Sequence, residues 1–294
     1  MALVTQPGTV AAANRDTDDA GHLRGTTILV GVALAVGVVL LVTVLPLTAA
    51  ASPRATHRDG PGRPRGGATA ATDPASSPNW SGYVDQAVEG DAFDQVGAQW
   101  VEPAVTCTDS ASWTLLWVGF DGWPSSDQSV EQGGTSARCV GGVAHYNAFY
   151  EMWPASAATM AFPVAAGDRM TASVVYSALT EQFLISVTDD TSGRSVTESV
   201  PCPSGRSCAR TSAEWVAESP SHFGTDRFFP PAPYRAVTFS AATVTDAAGH
   251  LGGIADPQWT SAAVDRVAGT SGGGATVSPL HGGGHSFSDS ATSP

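Results

Sequence analysis

Residues 144–153, AHYNAFYEMW, alternate between two classes of side chain and thereby indicate how the chain folds. Successive side chains of a β-strand point to opposite faces, so every second residue here would share a face. One face would carry Asn147, Phe149, Glu151 and Trp153, and the other Tyr146, Ala148, Tyr150 and Met152.

The same period of two recurs in short runs, separated by turn residues, throughout residues 79–268. Examples lie at 80–84, 113–121, 170–176, 183–187, 195–200, 213–218 and 237–244. Residues 189–193, DDTSG, have the composition of a hairpin turn between two of these runs. No stretch sustains a helical period, so about ten strands without intervening helices predict an all-β antiparallel sandwich or barrel.

The charge balance excludes one class of partner. The chain has 294 residues, 14 basic residues that are all arginine, 27 acidic residues and a net charge of -13. Nucleic acids attract basic surfaces, so a nucleic-acid partner is not expected. Only 14% of the residues are charged, which also argues against long surface helices held by ion pairs.

The amino-terminal part predicts export. Residues 1–25 are a short polar segment, and residues 26–47, TTILVGVALAVGVVLLVTVLPL, hold no charge over a length that can cross a bilayer. Small residues at 49–51 would suit a signal peptidase. Segment 26–51 is therefore a signal peptide or a membrane anchor, and arginines on both sides of it leave the orientation open. We expect the rest of the chain to be extracellular or on the outer face of the membrane.

The cysteines agree with an oxidising compartment. All four lie beyond residue 100, and Cys202 and Cys208 flank a short loop, CPSGRSC, that a disulfide would staple. By elimination Cys107 would pair with Cys139. Buried free thiols are the alternative.

Two flanking segments lack any hydrophobic periodicity. Residues 52–78 are rich in Arg, Gly and Pro and predict a linker or a removable propeptide. Residues 269–294 are rich in Gly and Ser and predict a flexible tail. The folded domain is therefore expected over residues 79–268.

Most familiar catalytic patterns are missing from the sequence. There is no HExxH, no pair of CxxC motifs and no clustered histidine, so neither a metal nor another cofactor is expected. There is also no phosphate-binding loop and no GxSxG elbow. Catalysis would have to come from carboxylates and amides. Alternation places Glu214 and Glu218 on one strand face, and parity does not distinguish between them.

Five short motifs follow one another in a recognisable order. They are NWSGY at 79–83, WVGFDG at 117–122, VEQG at 130–133, AFYEMWP at 148–154 and AEWVAE at 213–218. In this order and spacing the chain resembles the glutamic peptidases, or eqolisins, which are acid endopeptidases. The resemblance covers about 160 residues.

This resemblance implies a fold, an activity and a set of residues. The fold would be a sandwich of two curved antiparallel sheets, similar to legume lectins, with a cleft on the concave face. The catalytic pair would be Gln132 and Glu218, since Glu218 matches the second acid of the AEWVAE motif. The substrates would be polypeptides, and the enzyme would be a monomer. The remaining cleft residues implied by the match are Trp80, Trp117, Asp121, Glu151 and Trp153.

A Gln–Glu pair suits acidic conditions. A glutamic acid with a pKa near its reference value of ~4.3 stays partly ionised in mild acid and can take a proton from water. A glutamine does not titrate, and its amide can donate a hydrogen bond to an oxyanion. The residue before Gln132 is the acidic Glu131, which strand parity should turn away from the pair.

Two other functions would use the same fold. Tryptophans on a sheet face can stack on sugar rings, which would make the domain a carbohydrate-binding module. Glu151 and Glu218 could instead act as the paired carboxylates of a glycosidase. Neither alternative requires the amide of Gln132, which favours the peptidase.

Overall fold

The fold is described from a computed structural model, which covers residues 75–123, 127–222, 227–269 and 272–292. These residues form sixteen β-strands and one 3-10 turn at Gly282–Gly284. The strands are β1 Ala75–Ser77, β2 Trp80–Gln86, β3 Phe93–Val101, β4 Ser112–Phe120, β5 Val130–Val140, β6 Val143–Trp153, β7 Ala158–Pro163, β8 Arg169–Ser177, β9 Gln182–Asp189, β10 Arg194–Pro201, β11 Ser212–Glu218, β12 Ala236–Asp246, β13 Leu251–Gly252, β14 Thr260–Arg266, β15 Ala275–Val277 and β16 Phe287–Ala291.

The all-β prediction is confirmed. The strands follow one hydrogen-bonded path in the order β10-β9-β8-β3-β12-β16-β15-β14-β2-β11-β4-β5-β6-β7, with β13 beside β12 and β1 beside β14. Every pairing is antiparallel except that of β1 with β14. The two ends of the path, β7 and β10, approach each other, so the sheet is nearly closed.

Strand β12 joins the two halves of the path. Its first residues, 236–239, pair with β16, whereas residues 240–246 pair with β3. The register shifts between Ser240 and Thr243, and Ala241 has a positive φ of 49°. This is a β-bulge, which bends a strand and increases its twist.

The main hydrophobic core lies between the two halves of the path. It includes Leu116 and Val118 from β4, Trp215 from β11, and Val174 and Ile185 from β8 and β9. The opposite face of β2, β4, β5, β6 and β11 carries a second cluster with Trp80, Trp117, Phe149, Val216 and Val264. Because side chains alternate along each strand, one set points into the main core and the other into this second apolar cluster.

Two glycines allow close approach at the strands that matter most for the site. A Cβ atom on Gly133 would lie 2.4 Å from Cγ2 of Ile185 in β9, across the core. A Cβ atom on Gly119 would lie 2.6 Å from the backbone oxygen of Glu131. Both positions therefore require glycine for packing. Gly133 follows Gln132 in β5, and Gly119 of β4 lies opposite Gln132.

Both predicted disulfides are present. Cys107 bonds to Cys139, which ties the loop before β4 to the end of β5, and Cys202 bonds to Cys208. The predicted turn at 189–193 joins β9 to β10, and the side chain of Asp189 accepts hydrogen bonds from the backbone N–H groups of Thr191 and Ser192.

The predicted flexible tail over 269–294 is wrong. Residues 275–277 and 287–291 are strands β15 and β16, which fill the sheet between β14 and β12. Phe287 is fully buried and its ring lies 4.8 Å from that of Tyr83. The abundance of Gly and Ser concealed two strands whose stability comes from their partners.

The predicted start of the folded domain also needs correction. Residues 75–77 fall in the segment expected to be a linker or propeptide, yet they form β1 beside β14. The apolar segment 26–47 and the rest of residues 1–74 lie outside the described residues. Among the residues that the structure describes, no helix is long and apolar enough to span a membrane.

Candidate active site

Gln132 and Glu218 lie on the same face of the sheet. In neighbouring antiparallel strands, directly opposed residues point to the same side. Gln132 of β5 is opposite Gly119 of β4 and Glu151 of β6. Glu218 of β11 is opposite Leu115 of β4 and Trp80 of β2. Strand β4 lies between β5 and β11, so the two predicted catalytic side chains flank it along a diagonal.

The carboxylate of Glu218 is held at both oxygens. The indole N–H of Trp117 donates to Oε2 at 2.8 Å, and the side-chain amide of Asn79 donates to Oε1 at 3.1 Å. Glu218 is completely buried. Two N–H donors on the two oxygens are the arrangement that stabilises an ionised carboxylate.

Burial works against ionisation of Glu218. Burial raises the pKa of the carboxyl, and the hydrogen bonds from Trp117 and Asn79 and the positive charge of Arg266 lower it, which leaves a net pKa of about 8. This differs from the ordinary glutamate pKa expected from the sequence. At acidic pH the carboxyl is therefore mainly protonated, and the three groups that lower its pKa set the size of the small ionised fraction.

Gln132 is fixed by Glu151. Its amide nitrogen donates to Oε2 of Glu151 at 2.8 Å, and both side chains are buried. Burial raises the pKa of Glu151 well above its usual range, and the nearby charge of Glu218 raises it further. The two carboxyls are therefore close enough to influence each other, and Glu151 is protonated more readily than an exposed glutamate. No hydrogen bond joins Gln132 directly to Glu218.

A cavity of about 320 Å³ lies beside this group. Glu151 and Glu218 are both on its wall, and Gln132 is hydrogen-bonded to Glu151 on the same sheet face. The rest of the wall is mainly apolar and aromatic, with a few small polar side chains. It includes Trp113, Leu115, Phe149, Phe229, Ser136 and Asn147. Such a lining suits an apolar group with a few oriented polar contacts.

The other residues implied by the resemblance have different positions. Trp80 and Trp117 are completely buried in the second apolar cluster on this face of the sheet, next to Glu218. Trp153 is partly exposed and lies outside the cavity wall, with the guanidinium of Arg206 6.0 Å from its ring centre.

Asp121 is also outside the cavity. Its carboxylate accepts hydrogen bonds from the backbone N–H groups of Arg210 and Thr211, each at 2.9 Å. It thus fixes the segment leading into β11 from the loop after β4. Its backbone has a positive φ of 62°.

Strand parity correctly separates Glu131 from Gln132. The carboxyl of Glu131 lies against that of Asp121, and burial together with this neighbouring charge raises the pKa of Glu131 well above its usual range. Glu214 belongs to the same acidic group. Burial raises its pKa, and the charges of Asp121, Asp127 and Glu131 raise it further. Glu214 is not on the cavity wall, whereas Glu218 is.

Asn79 and Arg266 are site residues that the sequence did not identify. Asn79 is the first residue of the NWSGY motif, and only its hydrogen bond to Glu218 reveals a role. Arg266 ends β14, and its Nη1 lies 3.3 Å from Oγ of Ser219, next to Glu218 in the chain. No local pattern marks either residue, because Asn79 and Arg266 come close to Glu218 only when distant strands pair.

No group of three or more His, Cys, Asp and Glu side chains with the geometry of a metal site is found in the described part of the chain. The amides and carboxyls around Glu218 are the polar groups of the site. They can hold a polar group in the cavity and exchange protons with it.

Comparison with known proteins places this geometry in a family. The family model described as the peptidase A4 family matches residues 78–271, about two thirds of the chain. No curated protein sequence matches the chain.

Solved structures agree with the family match. Scytalido-glutamic peptidase, solved with a transition state analog inhibitor, is 25% identical, with a TM-score of 0.60 over 73% of this chain and 98% of that chain. SCP-B, a member of the eqolisin family solved with the tripeptide Ala-Ile-His, is 25% identical with a TM-score of 0.57 over the same shares. Aspergilloglutamic peptidase from Aspergillus niger, at 23% identity, has a TM-score of 0.52 over 62% of this chain and 99% of that chain and supports the fold. The chain therefore belongs to the peptidase A4 family, the glutamic peptidases, and is a peptide hydrolase.

Proposed function

We propose that this protein is an acid endopeptidase in which Glu218 activates water and Gln132 stabilises the oxyanion. The observation that carries the proposal is the state of Glu218. It is a fully buried carboxyl on a cavity wall, with both oxygens accepting N–H groups. A carboxyl held in this way is preoriented and has a perturbed pKa, as general bases in enzymes commonly do.

The first step is attack by water on the peptide carbonyl. Glu218 in its ionised form accepts a proton from the water as the oxygen attacks the carbonyl carbon. The protonated carboxyl then donates that proton to the leaving nitrogen, so the C–N bond breaks and the carboxylate returns. A carboxyl whose pKa is raised by burial is the stronger base once it is ionised.

Gln132 supplies the neutral donor. One amide hydrogen is used in the hydrogen bond to Glu151, which fixes the plane of the amide. The second hydrogen of the NH₂ group is then available to the oxyanion that develops on the substrate carbonyl. An amide keeps this role at any acidic pH because it does not titrate.

We further infer that the sheet face carrying this pair is the concave side of a two-layer, lectin-like sandwich. The core between β8, β9 and β4, β5, the β-bulge in β12 and the cavity on the opposite face support this arrangement. An extended polypeptide crossing the face would place its scissile carbonyl beside Glu218 and its side chains against Phe149 and Trp113.

Two isosteric variants test the catalytic pair. In Glu218→Gln the proton acceptor is lost, and in Gln132→Glu the amide NH₂ is replaced beside Glu151. Each is expected to lower kcat on a denatured protein substrate at acidic pH by at least about 100-fold, since one oxyanion donor alone is worth roughly 3 kcal/mol of barrier. Circular dichroism and thermal unfolding would show that the fold survives.

Glu214→Gln is the matched control. Glu214 is on the same strand face, four residues earlier, and is equally buried, but it lies off the cavity wall. Its activity should stay within about threefold of the unmodified protein, because the Glu214 carboxyl does not line the cavity in which the proposed reaction takes place. Full activity of Glu218→Gln, or loss of activity only in Glu214→Gln, would overturn the assignment.

Glu151 and Glu218 line the same cavity as a pair of carboxyls, so glycosidase activity is a second candidate function to test beside peptide hydrolysis. Under that function Glu151→Gln would abolish sugar hydrolysis, and Gln132→Glu would leave it intact. Release of peptides without release of sugars from a glycoprotein substrate at acidic pH would decide for the peptidase. Resistance to pepstatin-type inhibitors would exclude a contaminating peptidase with paired aspartates.

We also propose that the peptidase acts outside the cytoplasm, either secreted or held at the membrane by residues 26–47. Two disulfides tie the described fold and support an oxidising location. Cell fractionation and amino-terminal sequencing of the mature protein test this. A full-length, reduced protein in the cytoplasmic fraction would contradict it.

A further inference from the structure

Arg266 is a buried cation in a chain whose other charges are mostly acidic. Of the arginines that the structure describes, it alone is buried, with 4% of its surface exposed. Burying a charged guanidinium is costly unless nearby groups compensate. We therefore looked for a function of the Arg266 side chain in its contacts.

The contacts of Arg266 lead to Glu218 from one side. Its Nη1 lies 3.3 Å from the hydroxyl oxygen of Ser219, the residue that follows Glu218. The backbone N–H of Ser219 donates to the backbone oxygen of Asn79 at 2.7 Å. The side chain of Asn79 in turn donates to Oε1 of Glu218.

A second path runs through the backbone. Arg266 in β14 is paired with Ser77 in β1. The hydroxyl of Ser77 donates to Oδ1 of Asn79 at 3.2 Å, which orients the amide toward Glu218. Both paths end on the same carboxyl, so Arg266 is at once a structural anchor for Asn79 and a positive charge near Glu218.

We propose that Arg266 is a positioning residue for Glu218, which holds the Asn79 amide on its carboxyl through Ser219 and Ser77 and places a positive charge near the buried site. This inference rests on the proposed function of Glu218. The positive charge of Arg266 lowers the pKa of Glu218, in opposition to burial.

Other charged or titratable groups lie near Arg266 and Glu218. Glu151 faces Glu218 across the cavity. The carboxyl of Asp289 in β16 and the hydroxyl of Tyr234 bond to each other and lie near Arg266. His222 and Arg227 line a neighbouring cavity that Arg266 also borders. Burial raises the pKa of Asp289, whereas the hydrogen bonds from Ser81 and Tyr234 and the positive charge of Arg266 lower it.

The pH dependence of kcat/KM tests the proposal. Without the cation, the pKa of Glu218 rises, and the pH at which the base becomes ionised rises with it. In Arg266→Gln the acidic limb of kcat/KM should move upward by about one pH unit, the lower end of the effect of a nearby opposite charge. Arg266→Lys keeps the charge and should leave the limb within a few tenths of a unit.

Arg210→Gln is the control for loss of a partly buried arginine. Arg210 bonds to the backbone oxygens of Phe93 and Cys208 and makes an ion pair with Asp94, away from the cavity. Its removal should lower thermal stability without moving the limb.

Three outcomes are decisive. An unmoved limb in Arg266→Gln, with activity lost equally at every pH, would overturn the proposal even if Glu218→Gln is inactive. If Arg266→Gln does not fold, Arg266→Met, which keeps the apolar part of the side chain and removes the charge, must move the limb upward. No movement in Arg266→Met would then overturn the proposal. Full activity of Glu218→Gln would instead refute the proposed function itself.

Discussion

At the scale of single residues, the properties of Glu218 depend on three neighbours from distant parts of the chain. Asn79 lies between β1 and β2, Trp117 in β4 and Arg266 in β14. Each of them lowers the pKa of Glu218, which burial raises. The residue type alone predicts a carboxyl with an ordinary pKa. Its neighbours decide how much of it is ionised in acid.

Trp117→Phe isolates one of these neighbours. The change keeps an aromatic ring in the second apolar cluster and removes the N–H that donates to Oε2 of Glu218. A hydrogen bond to a charged group is worth about 1.5–3 kcal/mol, so kcat/KM in acid should fall by roughly 10- to 100-fold.

Trp215→Phe is the matched comparison. Trp215 is also completely buried, and its indole N–H donates to the backbone oxygen of Gly97 at 3.0 Å in the core. This variant should lose similar stability in denaturant unfolding but keep kcat/KM. Equal kinetic losses in the two variants would mean that the effect of Trp117 is only structural.

At the scale of elements, the carboxyl-terminal strands are part of the domain. Strand β16 lies between β12 and β15, and β15 pairs with the strand that carries Arg266. Phe287 of β16 packs its ring on those of Tyr83 and Phe239, at 4.8 and 5.0 Å. The segment thus links β12 to β14 within the sheet.

Phe287→Ala tests the contribution of β16. Removing a fully buried phenylalanine ring typically costs about 3–5 kcal/mol of unfolding free energy. We expect a loss of this size in denaturant unfolding at acidic pH, whereas Leu251→Ala, at a largely exposed position in β13, should change little. An unchanged unfolding free energy for Phe287→Ala would restore the description of the segment as a tail.

At the scale of the whole molecule, buried acids make stability depend on pH. The described chain buries many carboxyls whose pKa is raised by desolvation, among them Asp85, Glu102, Glu131, Glu151 and Glu214. A group with a raised folded-state pKa binds its proton more tightly in the folded state. Its contribution to stability is complete below the unfolded-state pKa and is lost as pH rises through the folded-state pKa. The fold should therefore be most stable in acid.

The contribution of Glu102 to the pH dependence of the unfolding free energy can be measured. Burial raises its pKa from 4.5 to about 7, and its Oε2 accepts a hydrogen bond from the indole of Trp100. Between these pH values the protein should lose on the order of 3 kcal/mol through this group alone. Glu102→Gln should remove that part of the slope in unfolding measured across this pH range.

The exposed Glu89→Gln change is the control for Glu102→Gln and should leave the slope as it is. A pH slope that is unchanged in Glu102→Gln would show that Glu102 is not a source of the dependence. Burial raises the pKa values of these carboxyls, so they are neutral in acid. The fold is therefore expected to be most stable in the pH range in which the proposed site acts.

Much of this arrangement could be predicted from short patterns. The alternation in 144–153 correctly predicted β6 and placed Glu151 and Phe149 on one face, and the parity argument correctly turned Glu131 away from Gln132. The predictions for β15 and β16 failed because Gly and Ser carry no periodic signal when stability is supplied by neighbouring strands.

The sequence by itself determined the class of fold and the face on which each strand residue lies, because the two-residue period is a local property of the backbone. Only the tertiary structure decided which strands are neighbours, and hence that Asn79, Trp117 and Arg266 surround Glu218 while Asp121 and Trp153 lie off the cavity wall. Those contacts join residues up to 139 positions apart, and strand register, rather than any local pattern, brings such residues together.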